Sequence, residues 1–116
     1  MIDLIFLEDA QKEFQQSAEW YEEKMDNLGI RFRDAVNESI DDLRLHPKRY
    51  PKRKNNFRVS PLKSFPFLIV YTFYEKENII IINSVFHTSR NPRGNTEEAE
   101  LLKHFKYSVK LPSLFS

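Results

Sequence analysis

The sequence predicts an α+β domain, with an N-terminal helical hairpin packed on a mostly antiparallel four-stranded sheet. Three observations predict it. Two amphipathic stripes, with apolar residues three and four positions apart, occupy the N-terminal part of the chain. Three β-rich runs separated by short polar breaks follow, the pattern of an antiparallel meander: Phe57-Arg58-Val59, Phe65 to Tyr71, and Ile79 to Ile82 continuing into Val85-Phe86-His87. A short apolar run, Ile2 to Leu7, precedes the helices and supplies the fourth strand.

In order along the chain, Ile2, Leu4 and Phe6 form one face of the first strand. The first helix carries Ala10, Phe14, Ala18, Tyr21, Met25 and Leu28 on its apolar side, and Glu8 and Asp9 in its first turn complement the dipole. Gly29, which tolerates positive φ, is the expected break between helices. The second stripe is Phe32, Val36, Ile40 and Leu43, stopped by Pro47 after His46. Lys48 to Asn56, basic and broken by Pro51, reads as a loop. Phe57 to Leu62 is the second strand and Pro66 to Tyr74 the third, with Pro66 at a strand start because it has no amide hydrogen. Glu75 to Asn78 is a turn. Ile79 to Ile82 is apolar on both faces, so the fourth strand is expected inside the sheet. Residues 1–95 make one domain, and 96–116 a C-terminal extension. In it, residues 96–107 read as a short helix capped by Asn95 or Thr96, with Leu101, Leu102 and Phe105 on its apolar side and a patternless tail from Ser108.

A chain of 116 residues is near the commonest domain size and supports a single core. At 41% hydrophobic and 30% charged residues it is expected to fold, and ten Phe supply large burial units. The absence of cysteine excludes a disulfide framework and thiolate metal sites. Met1 to Leu7 lacks the basic flank and length of a signal peptide, and no run approaches membrane-spanning length, so the expected location is cytoplasmic. The net charge of +1 hides an asymmetry. Residues 1–42 carry twelve acids against four bases, whereas residues 43–74 carry eight bases and no acid. A partner feels such local charge within about one Debye length, roughly 8–10 Å.

Several chemistries drop out. Gly29 and Gly94 alone cannot build a phosphate-cradling glycine loop. His46, His87 and His104 lie far apart in no metal-ligand spacing, so neither a metal nor another cofactor is expected. No serine sits in a nucleophile elbow. Two features remain. The basic run from Arg44 to Lys63 is either a solvated surface offsetting the acidic helices or an anion-binding edge, with Lys52, Arg53, Lys54, Arg58, Arg90 and Arg93 as candidate contacts. The second feature is Arg58, His87 and Arg90. In a meander, Arg58 and His87 are expected on neighbouring strands and one face, with Arg90 in the adjoining loop. A ribonuclease without metal needs a base or acid near neutrality, which histidine provides, and a cation for phosphorane charge, which arginine's fork provides. The plainer reading makes His87 a strand-end hydrogen-bonding group and Arg90 the partner of a helix carboxylate.

The order strand, helix, helix, three strands over about residues 2–92 resembles the RelE/ParE family of small bacterial toxins. The match to the ParE-like branch rests on Trp20-Tyr21-Glu22, on Leu28-Gly29-Ile30-Arg31-Phe32, and on Leu43 through Pro47 to Pro51. It also rests on Phe65-Pro66-Phe67-Leu68-Ile69-Val70-Tyr71 and on Val85-Phe86-His87-Thr88-Ser89-Arg90-Asn91-Pro92. The resemblance implies the toxin of a bacterial type II toxin–antitoxin pair, of the kind associated with plasmid stabilisation and neutralised by a cognate antitoxin. Members of the ParE branch poison DNA gyrase and are not known as nucleases, which weighs against an enzyme. RelE-like members cut mRNA on the ribosome, which would make the chain a metal-independent endoribonuclease using Arg58, His87 and Arg90. A family member that only binds its antitoxin is a third alternative. Arg58 matches the strand arginine of both branches, His87 a histidine of ParE-like chains and of some nuclease members, and Lys52 and Lys54 fall where RelE-like enzymes keep catalytic lysines. The implied assembly is a homodimer or a toxin–antitoxin hetero-oligomer, with no membrane partner. The chain departs from the pattern where Gly94 and Asn95 stand in place of a tryptophan after the Arg-x-Pro element. It departs again in Tyr107, which lies beyond a RelE-like terminal tyrosine, and in the twenty residues after Thr96.

Overall fold

The computed structural model describes residues 2–89. The expected helix over 96–107, the tail after it, Arg90 and Arg93 lie outside the described residues. In chain order the elements are β1 (Asp3–Phe6), α1 (Glu8–Lys24), α2 (Leu28–Leu45), a single 3-10 turn (Lys54–Asn56), β2 (Arg58–Pro61), β3 (Phe67–Tyr74) and β4 (Ile79–His87). The sheet order is β1-β4-β3-β2. β2, β3 and β4 pair as an antiparallel meander, and β1 lies parallel to β4. The fold is therefore the expected α+β arrangement of two helices on a mostly antiparallel four-stranded sheet. β4 is an interior strand, as its isoleucine run requires.

Both stripes of the hairpin are spent on one face of the sheet. Ala10, Ala18 and Tyr21 of α1 and Phe32, Val36, Ile40 and Leu43 of α2 pack against Phe67, Ile69 and Tyr71 of β3 and Ile80, Ile82 and Val85 of β4. Phe32 is the hub, with its ring centroid 4.8 Å from Phe67, 5.3 Å from Tyr21 and Phe65, and 5.9 Å from Phe14. Ile2, Leu4 and Phe6 join from β1.

The join between the helices differs from expectation. α1 stops at Lys24, Met25 is extended and 54% exposed, and α2 begins at Leu28. The left-handed residue is Asn27, at φ 71°, a conformation that asparagine tolerates. Gly29 is helical and buried within α2. Its role is close approach, because a Cβ there would stand 2.5 Å from the Ala18 carbonyl oxygen. Glu22 completes the join by accepting hydrogen bonds from the Asn27 N–H (2.9 Å) and the Gly29 N–H (3.0 Å). These amides at the start of α2 have no acceptor within the helix.

A second device closes the edge of β4. β1 ends opposite Ile82, and a bulge between Ile82 and Ser84 leaves Asn83 without a partner position on β3. Past that point β4 has no strand on its outer side among the described residues. Glu13 of α1 fills in, accepting from the Val85 N–H (3.1 Å) and the Ser84 hydroxyl (2.8 Å).

Candidate functional site

Arg58 opens β2 opposite Tyr71 of β3, so both side chains belong to the helix-bearing face. Arg58 is 6% exposed. Its Nη1 donates to the Tyr50 carbonyl, and its Nε makes no hydrogen bond among the described residues. Tyr71 is fully buried and donates its hydroxyl to the Pro47 carbonyl at 3.0 Å. Burial pushes this phenol up to about 12, with the Arg58 charge pulling the other way. The phenol stays protonated at physiological pH and serves as a donor. Together the two side chains tie the segment that leaves α2 to the sheet.

The other bases of the run divide by role. Arg44 donates twice to the Ile2 carbonyl, at 2.7 and 3.1 Å, joining α2 to the start of β1. Arg49 pairs with Asp42 at 2.8 Å and Lys48 with Glu75 at 2.7 Å. The hydrogen bond and charge of Lys48 hold the Glu75 carboxyl below its ordinary value. Arg44, Lys48, Arg49 and Arg58 are thus occupied in holding elements together. Lys52, Arg53 and Lys54 stand on the next turn, with both lysines exposed and Arg53 half-buried. That turn is closed by the Arg53 N–H donating to the Phe57 carbonyl (2.6 Å) and the Asn56 N–H donating to the Arg53 carbonyl (3.1 Å). Asn55 and Asn56 adopt φ 61° and 63°, which makes the tight reversal possible.

His87 ends β4 opposite Phe67, half-buried, with its ring edge-on to the Phe67 ring at 5.1 Å. Its Nδ1 accepts from the Ser89 N–H at 3.0 Å, which assigns the ring proton of the neutral imidazole to Nε2. The expectation that Arg58 and His87 occupy neighbouring strands is corrected. β3 lies between β2 and β4, and their register partners Tyr71 and Phe67 are four residues apart on it. With strands about 4.8 Å apart and a rise of about 3.3 Å per residue, the two Cα atoms stand roughly 16 Å apart. The reason is topological: hairpins pair consecutive strands, so the first and third strands of a meander never touch. The two residues do share the helix-bearing face.

Sequence reasoning missed the outer surface of the hairpin. Trp20, Met25 and Ile30 are 43%, 54% and 54% exposed. Lys24 Nζ lies 5.0 Å from the centre of the Trp20 ring, a cation–π contact. A groove of about 200 Å³ is lined by Ala18, Glu19, Glu22, Gly29, Ile30 and Arg33. The available signal was that Trp20 and Ile30 sit off the two apolar stripes, on faces with no role in the core. Among the described residues no group of three or more His, Asp or Glu is placed to hold a metal ion, and no helix is long and apolar enough to cross a membrane.

A helical hairpin on one face of a β1-β4-β3-β2 sheet, with an arginine opening the second strand and a histidine ending the fourth, has the architecture of the RelE/ParE class of small toxins. The family model of the ParE toxin of type II toxin-antitoxin system, parDE, matches residues 4–92. The chain belongs to this ParE toxin family, and membership implies a cognate antitoxin as its partner. No curated protein matches the chain.

Proposed function

We propose that this toxin arrests growth by binding DNA gyrase rather than by cutting RNA, and that its antitoxin restrains it in the bacterial cytoplasm. The turn carrying Lys52, Arg53 and Lys54 supplies contacts to the anionic surface of the target. The observation that carries the reading is the burial of Arg58. A metal-free ribonuclease must aim a cation at the developing phosphorane charge and a base at the 2′-hydroxyl. Here the guanidinium is turned to the Tyr50 carbonyl, and His87 lies two strands away. A toxin that acts by binding asks nothing of that pair beyond a stable sheet. Phosphate- or carboxylate-rich surfaces attract lysine and arginine without demanding sequence choice, which suits the exposed basic turn.

Induced expression in a bacterial host, with plasmid topology and transcripts read from the same culture, tests the proposal. Altered plasmid topology with intact transcripts is the expected result, together with inhibition of purified gyrase by the full chain. Cut transcripts with normal DNA overturn it in favour of a ribosome-dependent nuclease. Soluble expression without growth arrest overturns it in favour of a chain that only binds its antitoxin.

A further inference from the structure

We propose that the cavity between the C-terminal end of α2 and the β3–β4 turn is a binding site for a small organic acid, a carboxylate carried on an apolar body. The inference is independent of the toxin's target. The cavity has a volume of about 620 Å³. Its apolar lining comes from Ile2, Pro47 and Phe73, and Ile2 and Phe73 also pack against the core, so they form the floor. His46, Lys48, Arg49 and Glu75 supply the polar lining. Small-molecule sites have this make-up, with volumes of roughly 300–1,000 Å³ and a few polar groups set in apolar walls.

The backbone around the cavity is tied in place before any ligand arrives, which lowers the cost of binding. Arg44 holds the Ile2 carbonyl, the Tyr71 hydroxyl donates to the Pro47 carbonyl at 3.0 Å, and the Asp3 N–H donates to the Asn78 carbonyl at 3.1 Å. Charge selects an anion. Glu75 is the one acid in the lining among the described residues, against Lys48 and Arg49. Lys52 and Arg58 add to the positive field at its carboxyl. Arg49 is engaged by Asp42 at 2.8 Å, which leaves Lys48 as the cation for a ligand. Glu75 shows how Lys48 takes a carboxylate, with its Oε2 2.7 Å from Nζ. These two side chains are 57% and 66% exposed, and an ion pair so open to water is weak. A ligand carboxylate therefore takes the place of Glu75 on Lys48, while its apolar body covers Ile2, Pro47 and Phe73.

Nuclear magnetic resonance titration of the full chain with phenylbutyrate and with octanoate tests the proposal. Both acids are expected to give saturable shifts at Ile2, Lys48, Phe73 and Asn78. Acetate, which has no apolar body, and phenylbutyramide, which has no charge, should each bind about tenfold more weakly or worse. Lys48→Met should weaken both acids about tenfold. Glu75→Gln should tighten them about two- to fivefold, because Lys48 is then no longer occupied by the chain's own carboxylate. A Glu75 that only braces the turn gives the opposite result, weaker binding as the wall loosens. The absence of saturable shifts with both acids overturns the proposal, and so does an amide that binds as well as its acid. A Glu75→Gln variant that binds the acids no more tightly than the unaltered chain overturns it too. Should Lys48→Met fail to fold, the Glu75→Gln comparison decides with Lys48 intact.

Discussion

Tyr71 and Arg58 are the residues on which the turn from α2 into the sheet depends, and each makes a distinct prediction. The Tyr71 phenol is raised from 10.0 to about 12 by burial. Between those values the unfolded chain gives up the proton while the folded chain keeps it. The unfolded state then binds fewer protons, so stability falls as pH rises, by about 1.4 kcal/mol per pH unit. This contribution is fully present below the unfolded value and is lost as pH climbs to the folded one. Tyr71→Phe should lack that slope, and at neutral pH should be less stable by about 1 kcal/mol because the Pro47 carbonyl loses its donor. Urea titrations of both proteins at neutral and alkaline pH check it, since all other titrations cancel in the difference. Arg58→Ala strips the Tyr50 carbonyl of a charged donor and should cost about 1.5–3 kcal/mol. Arg58→Met keeps the apolar stem and removes a buried charge, so it should recover most of that loss and remain toxic. A stable but non-toxic Arg58→Met would restore the arginine to a chemical role.

Among the elements, the hairpin and the edge of β4 carry tests of their own. Ala is the better helix former, by about 1 kcal/mol over Gly. Gly29→Ala should nevertheless lower the melting temperature, because its methyl would press on the Ala18 carbonyl of α1, and such overpacking costs about 1–3 kcal/mol. Glu13→Ala should destabilise by a similar amount, about 1–3 kcal/mol, by leaving the Val85 amide and Ser84 hydroxyl without their acceptor. Glu13→Gln retains a carbonyl oxygen and should be milder. The elements themselves were largely legible: the helix stripes at Ala10 to Tyr21 and Phe32 to Leu43, and the interior position of the isoleucine strand, all follow from periodicity. The join was not, because Met25 and Leu28 continue the spacing of the first stripe by coincidence. Only the close packing of α1 on α2 shows that Asn27 turns the chain and Gly29 lets the backbones meet.

At the scale of the described residues, acids lie along the helices, and Lys52 and Lys54 stand exposed together on one turn. Lys52→Glu with Lys54→Glu should weaken gyrase inhibition about tenfold, with the loss largest at low salt, and leave the melting temperature unchanged. Inhibition curves at two ionic strengths measure it. The basic run was visible in the sequence, but its division was not. Arg44, Lys48, Arg49 and Arg58 bond to partners on other elements, and such partners are chosen by the tertiary fold.

The sequence by itself determined the class of fold, the faces of the helices, the order of strands in the meander and the family. Those properties reside in local periodicity and in the order of short motifs, which neighbours along the chain specify. The tertiary structure alone decided that Arg58 is a buried strut and that Glu13 seals β4. It also decided that Val59, Leu68, Val70 and Phe86, on the far side of the sheet, are buried. Each of these is a relation between residues distant in sequence, set by strand register and by which groups meet when water is excluded.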